Sequence, residues 1–579
     1  MIRKAALMTA DQKLPQSIPA PRWWLIAVGL AIVLAGAFLA QSIRTVDGTT
    51  VRDIRFTGTN GTQMSALLYV PKNASAESPA PGILAVHGYI NSRETQDGFA
   101  IEFARRGYVV LSLDQTGHGY SGPAFSNGFG GPDGLNYLRS LPMVDTNEIG
   151  LEGHSMGGWT VLAAAAAMPE AYSSMVLEGS STGAPFAQEG SITWPRNLAL
   201  VFSRYDEFSK IMWDVDRAQD LPESAKLQAV FGTKTPVKED TIYGAIANGT
   251  ARKLYQPSTT HPGDHFSADA IGNATDWFSA TLEGGTPRPA DDQIWHWKEL
   301  GTAAGLAGFV MIMLGTFDLL IRLPVFAPLR GEVVPADAQR DRRWWRFFAV
   351  NTVLPALLFF PAFIAAFFLL PASSWLPQAV TTQITLWAVV GAGASLLVSR
   401  FTRQFAAPPQ LGWPRSILLA VLTVAAGYSM LWLVDYFFLT DFRLWVVAVK
   451  LPSIEQWRIA AIYVVPMTLA FMVTIRTLCG ATVGDDTIFK RYGAAILMLT
   501  AGFIIMLSVI YGVFFTTGSL VTAFDPLSTV IALQFVPVLS AIAVIGIFTW
   551  QRTGSHRPGG LIAGMLVTLY VVAGTATQI

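Results

Sequence analysis

From Gly301 to its end the chain is almost continuously apolar, broken only by short loops. Eight runs, near 301–321, 347–370, 379–399, 416–437, 459–478, 493–515, 527–549 and 560–577, are each long enough to cross a bilayer. In lipid such a run must be a helix, because only a helix satisfies its own backbone hydrogen bonds. Composition agrees: hydrophobic residues are 51% of the 579 and charged residues only 14%, too apolar a balance for an ordinary soluble protein. A ninth run, 23–40, follows a polar segment carrying Arg3, Lys4, Lys13 and Arg22. It reads as an uncleaved anchor. A signal peptide, with Ala35-Gly36-Ala37 as its cleavage site, is the rival, but the run exceeds the usual signal core of roughly 7–15 residues.

Residues 41–298 have normal globular composition. Strand-like runs at 51–56, 65–70, 82–87, 108–113, 148–153, 174–177, 198–202 and 252–256 alternate with helical patterns at 97–106, 133–141 and 155–168. Alternation of this kind predicts an α/β domain with a mostly parallel, eight-stranded sheet. The chain therefore divides into a cytoplasmic N-terminus (1–22), an anchor helix (23–40), an extracytoplasmic α/β domain (41–298) and an all-α transmembrane domain of about eight helices (299–579). Orientation follows from the placement of Lys and Arg. If the N-terminus is cytoplasmic, the inside loops hold Arg322, Arg330, Arg340, Arg342, Arg343 and Arg346, then Arg400, Arg403 and Arg415, then Lys490 with Arg491, and Arg552 with Arg557. Most outside loops carry none; one departs, with Arg443, Lys450 and Arg458. This predicts a multi-pass protein of the cell membrane. A net charge of zero gives no argument for a nucleic-acid partner, and the one cysteine, Cys479, cannot form an intramolecular disulfide. The oligomeric state is not readable.

All the motifs that suggest chemistry lie in the α/β region. Gly153-His154-Ser155-Met156-Gly157 sits between a short apolar strand and an alanine-rich helix. G-x-S-x-G in that setting is a nucleophile elbow, whose sharp turn lifts the serine hydroxyl clear of the sheet. A serine hydroxyl is a weak nucleophile and needs a base and an orienting acid, here in the chain order Ser, Asp or Glu, His. Asp206, after the apolar strand 198–202, is the preferred acid; Glu207 is its close rival. His261 is the preferred base because it falls sooner after the last strand, and His265 is the alternative. The oxyanion hole needs two N–H donors, expected from Met156 and Tyr89. His87 reads as a support for its loop, and the turn at 114–122, with His118, as part of the pocket rim. No residue set suggests a metal.

Three strings carry a resemblance: His87-Gly88-Tyr89 after the third strand, the glycine-rich turn at 114–122 after the fourth, and Gly153–Gly158 at the elbow. Together they resemble the α/β-hydrolase superfamily, most nearly its dienelactone hydrolase and prolyl-oligopeptidase-like branch, over about 50–283. The resemblance implies covalent acyl-enzyme chemistry with no metal or organic cofactor, on a small-molecule or lipid acyl substrate. It departs at 208–257, longer than the usual link between acid and base and a candidate lid. An ester or thioester is the expected bond. Acyl transfer to a membrane acceptor is one alternative; a transporter or sensor with a ligand-binding outer domain is another. Few ionisable residues interrupt the spans, which disfavours transport: Asp318 reads as an interfacial ion pair with Arg322, and Asp435 lies close to the outer end of its span. His296 and Trp297 are expected to pack where the α/β domain meets the membrane.

Overall fold

Ala80–Val86 is an apolar strand with no exposed residue, as a strand covered on both faces requires. It is the third strand (β3) of one eight-stranded sheet in a computed structural model that describes residues 21–579 apart from 123, 332, 334, 336–338 and 403–411. The others are β1 (Thr50–Thr57), β2 (Gln63–Val70), β4 (Val109–Asp114), β5 (Val144–His154), β6 (Ser174–Glu178), β7 (Leu198–Val201) and β8 (Arg252–Tyr255). Their order is β1-β2-β4-β3-β5-β6-β7-β8, with β1 and β2 antiparallel to their neighbours and the remainder parallel. Alternate residues feed two cores. Leu84, Leu111 and Leu151 face Trp213 and Trp159 on one side; Ile83, Val110 and Val176 face Phe103 and Trp277 on the other. The chain leaves β3 for β4 on one side and returns to β5 on the other. The carboxyl ends of β3 and β5 therefore border a topological switch point, where open α/β sheets bind their ligands.

Among the described residues nine helices are long and apolar enough to cross a membrane: Trp24–Arg44, Trp295–Leu320, Arg342–Leu369, Ala379–Arg400, Trp413–Phe438, Ile454–Gly480, Ile488–Thr517, Pro526–Thr553 and Arg557–Gly574. Arg3, Lys4, Lys13 and Arg403, used above for orientation, lie outside the described residues. Most of the helices overrun the apolar stretches, because helical hydrogen bonding continues into the polar flanks. The run at 347–370 is two helices, Arg342–Leu357 and Phe359–Leu369, broken at Leu358. Pro361, in the first turn of the second, has no N–H to continue the ladder across the break. The helix expected from about 301 begins at Trp295, whose side chain is buried in the α/β core. Trp297 lies about 200° further round that helix and is 48% exposed, so the packing expected of it and of His296 belongs to Trp295.

In the loop that departs from the expected charge pattern, the structure accounts for Arg443. Residues Phe442–Leu444 (β9) and Val447–Val449 (β10) form a hairpin docked on the α/β domain. Arg443 is buried there; its guanidinium pairs with Asp441 at 2.9 Å and donates to Thr95 Oγ1 at 2.6 Å and Ser92 Oγ at 3.2 Å. Lys450 is buried within the field of Glu94. Arg443 is thus neutralised inside the protein, whereas the positive-inside rule concerns cations in free loops; Lys450 Nζ has no hydrogen-bond partner among the described residues, and Arg458 is exposed and pairs with Glu455 at 2.9 Å. Removing one partner of a buried pair costs about 3–5 kcal/mol. Arg443→Ala should therefore lower the thermal unfolding temperature of the detergent-solubilised protein clearly; an unchanged temperature would show that the hairpin does not depend on this pair. Nearby, Asp97 forms an ion pair with Lys298 Nζ at 2.9 Å and accepts from the Tyr69 hydroxyl at 2.5 Å, with Arg44 Nε at 3.7 Å. The ends of two long apolar helices are thus tied to the sheet domain by one buried carboxylate.

Candidate active site

Ser155 stands between β5 and the helix Met156–Ala167 with φ 55° and ψ −121°. A non-glycine residue in that region carries strain of about 1–3 kcal/mol. The neighbours hold it there. Its N–H donates to the Glu178 carbonyl at 2.8 Å, and a Cβ at Gly153 or Gly157 would lie 2.3 Å from Gly157 O or 2.1 Å from Val86 O. Only glycine fits at those two positions, which is the steric reason for the G-x-S-x-G spacing.

Asp206, five residues beyond the end of β7, is fully buried. Its Oδ1 accepts from Phe208 N–H at 2.7 Å, and its Oδ2 lies 2.8 Å from Nδ1 of His261. The rival acid takes a different part: Glu207 Oε2 accepts the backbone N–H of His261 at 2.8 Å, and its Oε1 accepts the hydroxyl of Tyr511, from the helix Ile488–Thr517, at 2.8 Å. The alternative base does not meet a carboxylate. His265 packs on His154 with ring centroids 4.2 Å apart, and neither of its ring nitrogens has a hydrogen-bond partner among the described residues. Burial pushes His261 down to about 4, opposed by the charge of Asp264, and it drives His265 well down. Burial, reinforced by Asp264, pushes Asp206 up; burial, reinforced by Asp206, pushes Glu207 up to about 8.

Met156 is the first residue of its helix, so its N–H has no intrahelical acceptor. Gly88 brings the other loop in: a Cβ there would lie 3.1 Å from that of Ser155, with Tyr89 next in the chain. His87 takes the loop-supporting place expected of it, accepting Gln115 N–H at 3.2 Å, and burial pushes it down to about 3. His118 Nε2 accepts Ile90 N–H at 3.3 Å.

Residues 77–207, which include the elbow, match the family described as serine aminopeptidase, S33. The chain contains an α/β-hydrolase domain. Over 134 residues it is 29% identical to the monoacylglycerol lipase of Mycolicibacterium smegmatis, covering 22% of this chain and 46% of that one. The chain thus spans just under half the length of this curated relative. Similar solved structures include a dienelactone hydrolase-like promiscuous phosphotriesterase from metagenomic libraries and an α/β hydrolase from Penicillium sp.. Each is 15% identical, with a TM-score of 0.29, covering 40% of this chain and 99% of the other.

Ser155, Met156, Tyr89 and His261 of the hydrolase domain line one cavity of about 480 Å³. Little of its cover is the stretch 208–257. Phe208, Ile211 and Met212 reach it, but Leu221, Leu227, Val230, Phe231 and Val237 are packed into the core of the hydrolase domain. The expected lid is therefore mainly a buttress beside the sheet. The facing wall comes from the helical region, including Trp445, Val380, Leu527 and Val530. That region also touches the site loops: Trp445 Nε1 donates to Pro262 O at 2.8 Å, and Gln578 Nε2 donates to the Tyr89 hydroxyl at 3.2 Å. Sequence reasoning missed Tyr511, Trp445 and Gln578. They belong to no motif and lie 183 to 489 residues from the residues they hold.

Proposed function

We propose that the chain is a membrane-anchored serine hydrolase that cleaves an ester or thioester through an acyl-enzyme. Ser155 is the nucleophile, His261 the base and Asp206 the acid that holds the imidazole with its proton on Nδ1. Nε2 of His261 takes the hydroxyl proton as the oxygen attacks the carbonyl. The N–H groups of Met156 and Tyr89 stabilise the oxyanion, and water then releases the acid. The observation that carries this reading is the 2.8 Å contact between His261 Nδ1 and Asp206, beside a strained serine on the same cavity. The ester preference draws support from the lipase relative and from the largely apolar, aromatic lining around Ser155.

The hydrolase domain is read as extracytoplasmic. The basic loops lie at the ends of the helices away from it: the Arg22 N–H and the Arg552 side chain both meet Asp318, where Arg322 also pairs at 3.2 Å. At the other ends Thr577 N–H bonds Gly117 O at 2.7 Å and Arg217 bridges Ser519. With the positive-inside rule, this arrangement supports a hydrolase domain on the outside. A membrane-impermeant fluorophosphonate should label Ser155 on intact cells. Label only after permeabilisation would reverse the orientation, and none in either state would overturn the enzyme assignment. Adding a candidate alcohol to the purified protein separates hydrolysis from transfer: free acid should outrun new ester.

Tyr511 supports Glu207, which holds the backbone of the base. A neutral hydrogen bond is worth about 0.5–1.5 kcal/mol. Tyr511→Phe should lower kcat roughly 2- to 10-fold with KM unchanged and Ser155 still fully labelled by a fluorophosphonate. Unchanged kcat would sever this link between the membrane helix and the base.

A further inference from the structure

The cavity at Ser155 is not closed within the hydrolase domain. Its far wall is made by membrane helices, and its rim carries large apolar side chains from both parts. Phe367 of the helix Phe359–Leu369 is 64% exposed and Phe524, before the helix Pro526–Thr553, is 67% exposed. Phe186 and Ile211 of the hydrolase domain, on the same rim, are 56% and 48% exposed. In water such a rim would forfeit about 25 cal/mol for each Å² of apolar surface left wet. In hydrocarbon it forfeits none. The rim is partly membrane-helix surface, so the mouth between Phe367 and Phe524 adjoins acyl chains. Val380, Leu527 and Val530 give the helical wall its apolar surface, to which Gln383, Asp525 and Gln534 add polar groups.

Resting on the hydrolase reading above, we propose that the substrate is a lipid ester resident in the bilayer. It enters sideways past Phe367 and Phe524. Its hydrocarbon chain lies in the arm between the helices, with its carbonyl at Ser155. At about 480 Å³ the cavity falls in the range of about 300–1,000 Å³ typical of sites for one small ligand, which suits one chain rather than two. The chemistry balances as ordinary ester hydrolysis. The Ser155 oxygen bonds the acyl carbon, the alcohol leaves with the proton carried by His261, and water restores the serine and frees the fatty acid.

The test uses the full chain reconstituted in lipid vesicles, with palmitoyl and acetyl p-nitrophenyl esters and a fluorophosphonate label. Each buried methylene is worth about 0.8 kcal/mol, so kcat/KM for the palmitoyl ester should exceed that for the acetyl ester by at least about tenfold. Val530→Trp, and separately Ala379→Phe, fill the arm. Each should lower palmitoyl turnover about tenfold or more, and by a clearly larger factor than it lowers acetyl turnover. In Ser155→Ala, a palmitoyl ester carrying a diazirine near its methyl end should crosslink to the segments around Val380 or Phe524–Val530. That readout does not require turnover. Labelling and acetyl turnover with no palmitoyl preference and no crosslink to those segments would overturn this inference and leave the hydrolase reading intact. Absence of labelling together with absence of acetyl turnover would remove both.

Discussion

Ser155→Ala should abolish turnover of p-nitrophenyl esters by the purified protein, with a fall in kcat on the order of a million-fold, as loss of the nucleophile causes in serine hydrolases. The substitution removes one oxygen. The backbone contact that sets the elbow, from Ser155 N–H to Glu178 O at 2.8 Å, does not involve that oxygen, nor do the close approaches at Gly153 and Gly157. Alanine meets the same φ of 55° as serine, so the strain persists and the unfolding temperature should stay essentially unchanged. Fluorophosphonate labelling should vanish with activity. Undiminished turnover in a folded Ser155→Ala protein would remove the acyl-enzyme mechanism altogether.

What sequence could reveal divides by distance along the chain. The elbow is legible because its cause is local: glycine on either side of one strained residue, a strand before it and a helix after it. The sheet is legible for the same reason, since each buried parallel strand is a short apolar run, and chain order then points to Asp206 and His261. The long apolar helices are legible in number among the described residues, because length and apolarity are counted residue by residue. The break at Leu358 was not read, although Pro361 was in plain view; an apolar run hides the loss of one N–H. Charge counting marks the loop with Arg443, Lys450 and Arg458 as a departure but gives no reason for it, because the burial of Arg443 against Asp441 cannot be seen without the fold. Least legible was the share of the helical region in the site. Tyr511 reaches Glu207, Trp445 reaches Pro262 and Gln578 reaches Tyr89 only because the helices fold back onto the sheet domain. No periodicity encodes such contacts. The length of 208–257 suggested a lid for the same reason: length does not say which surface a segment packs on.

Asp206→Asn should cost about 10⁴ in kcat while leaving the site's shape intact. An asparagine amide would donate toward Nδ1 of His261, pushing the ring proton to Nε2, where the base must be free to accept from Ser155. His261→Ala should be as damaging as loss of the serine. His265→Ala should leave fluorophosphonate reactivity largely in place, since neither nitrogen of His265 has a partner and no carboxylate orients it. Its cost should appear in stability, through the lost packing against His154 and Phe99. The pH profile gives an independent handle. Burial brings His261 down to about 4, with Asp206, Asp264, Glu207 and His154 facing it. The base works only when neutral, and a lowered pKa keeps it neutral into more acidic solution. Activity should therefore persist well below the usual imidazole range and fall as the pH drops through about 4. An acid limb near 6.5, the ordinary imidazole value, would mean that the charge of Asp206, 2.8 Å from Nδ1, offsets the effect of burial on His261. Equal losses from His261→Ala and His265→Ala in kcat, with both proteins folded, would mean that the two rings act as one relay and that Asp206 does not by itself select the base.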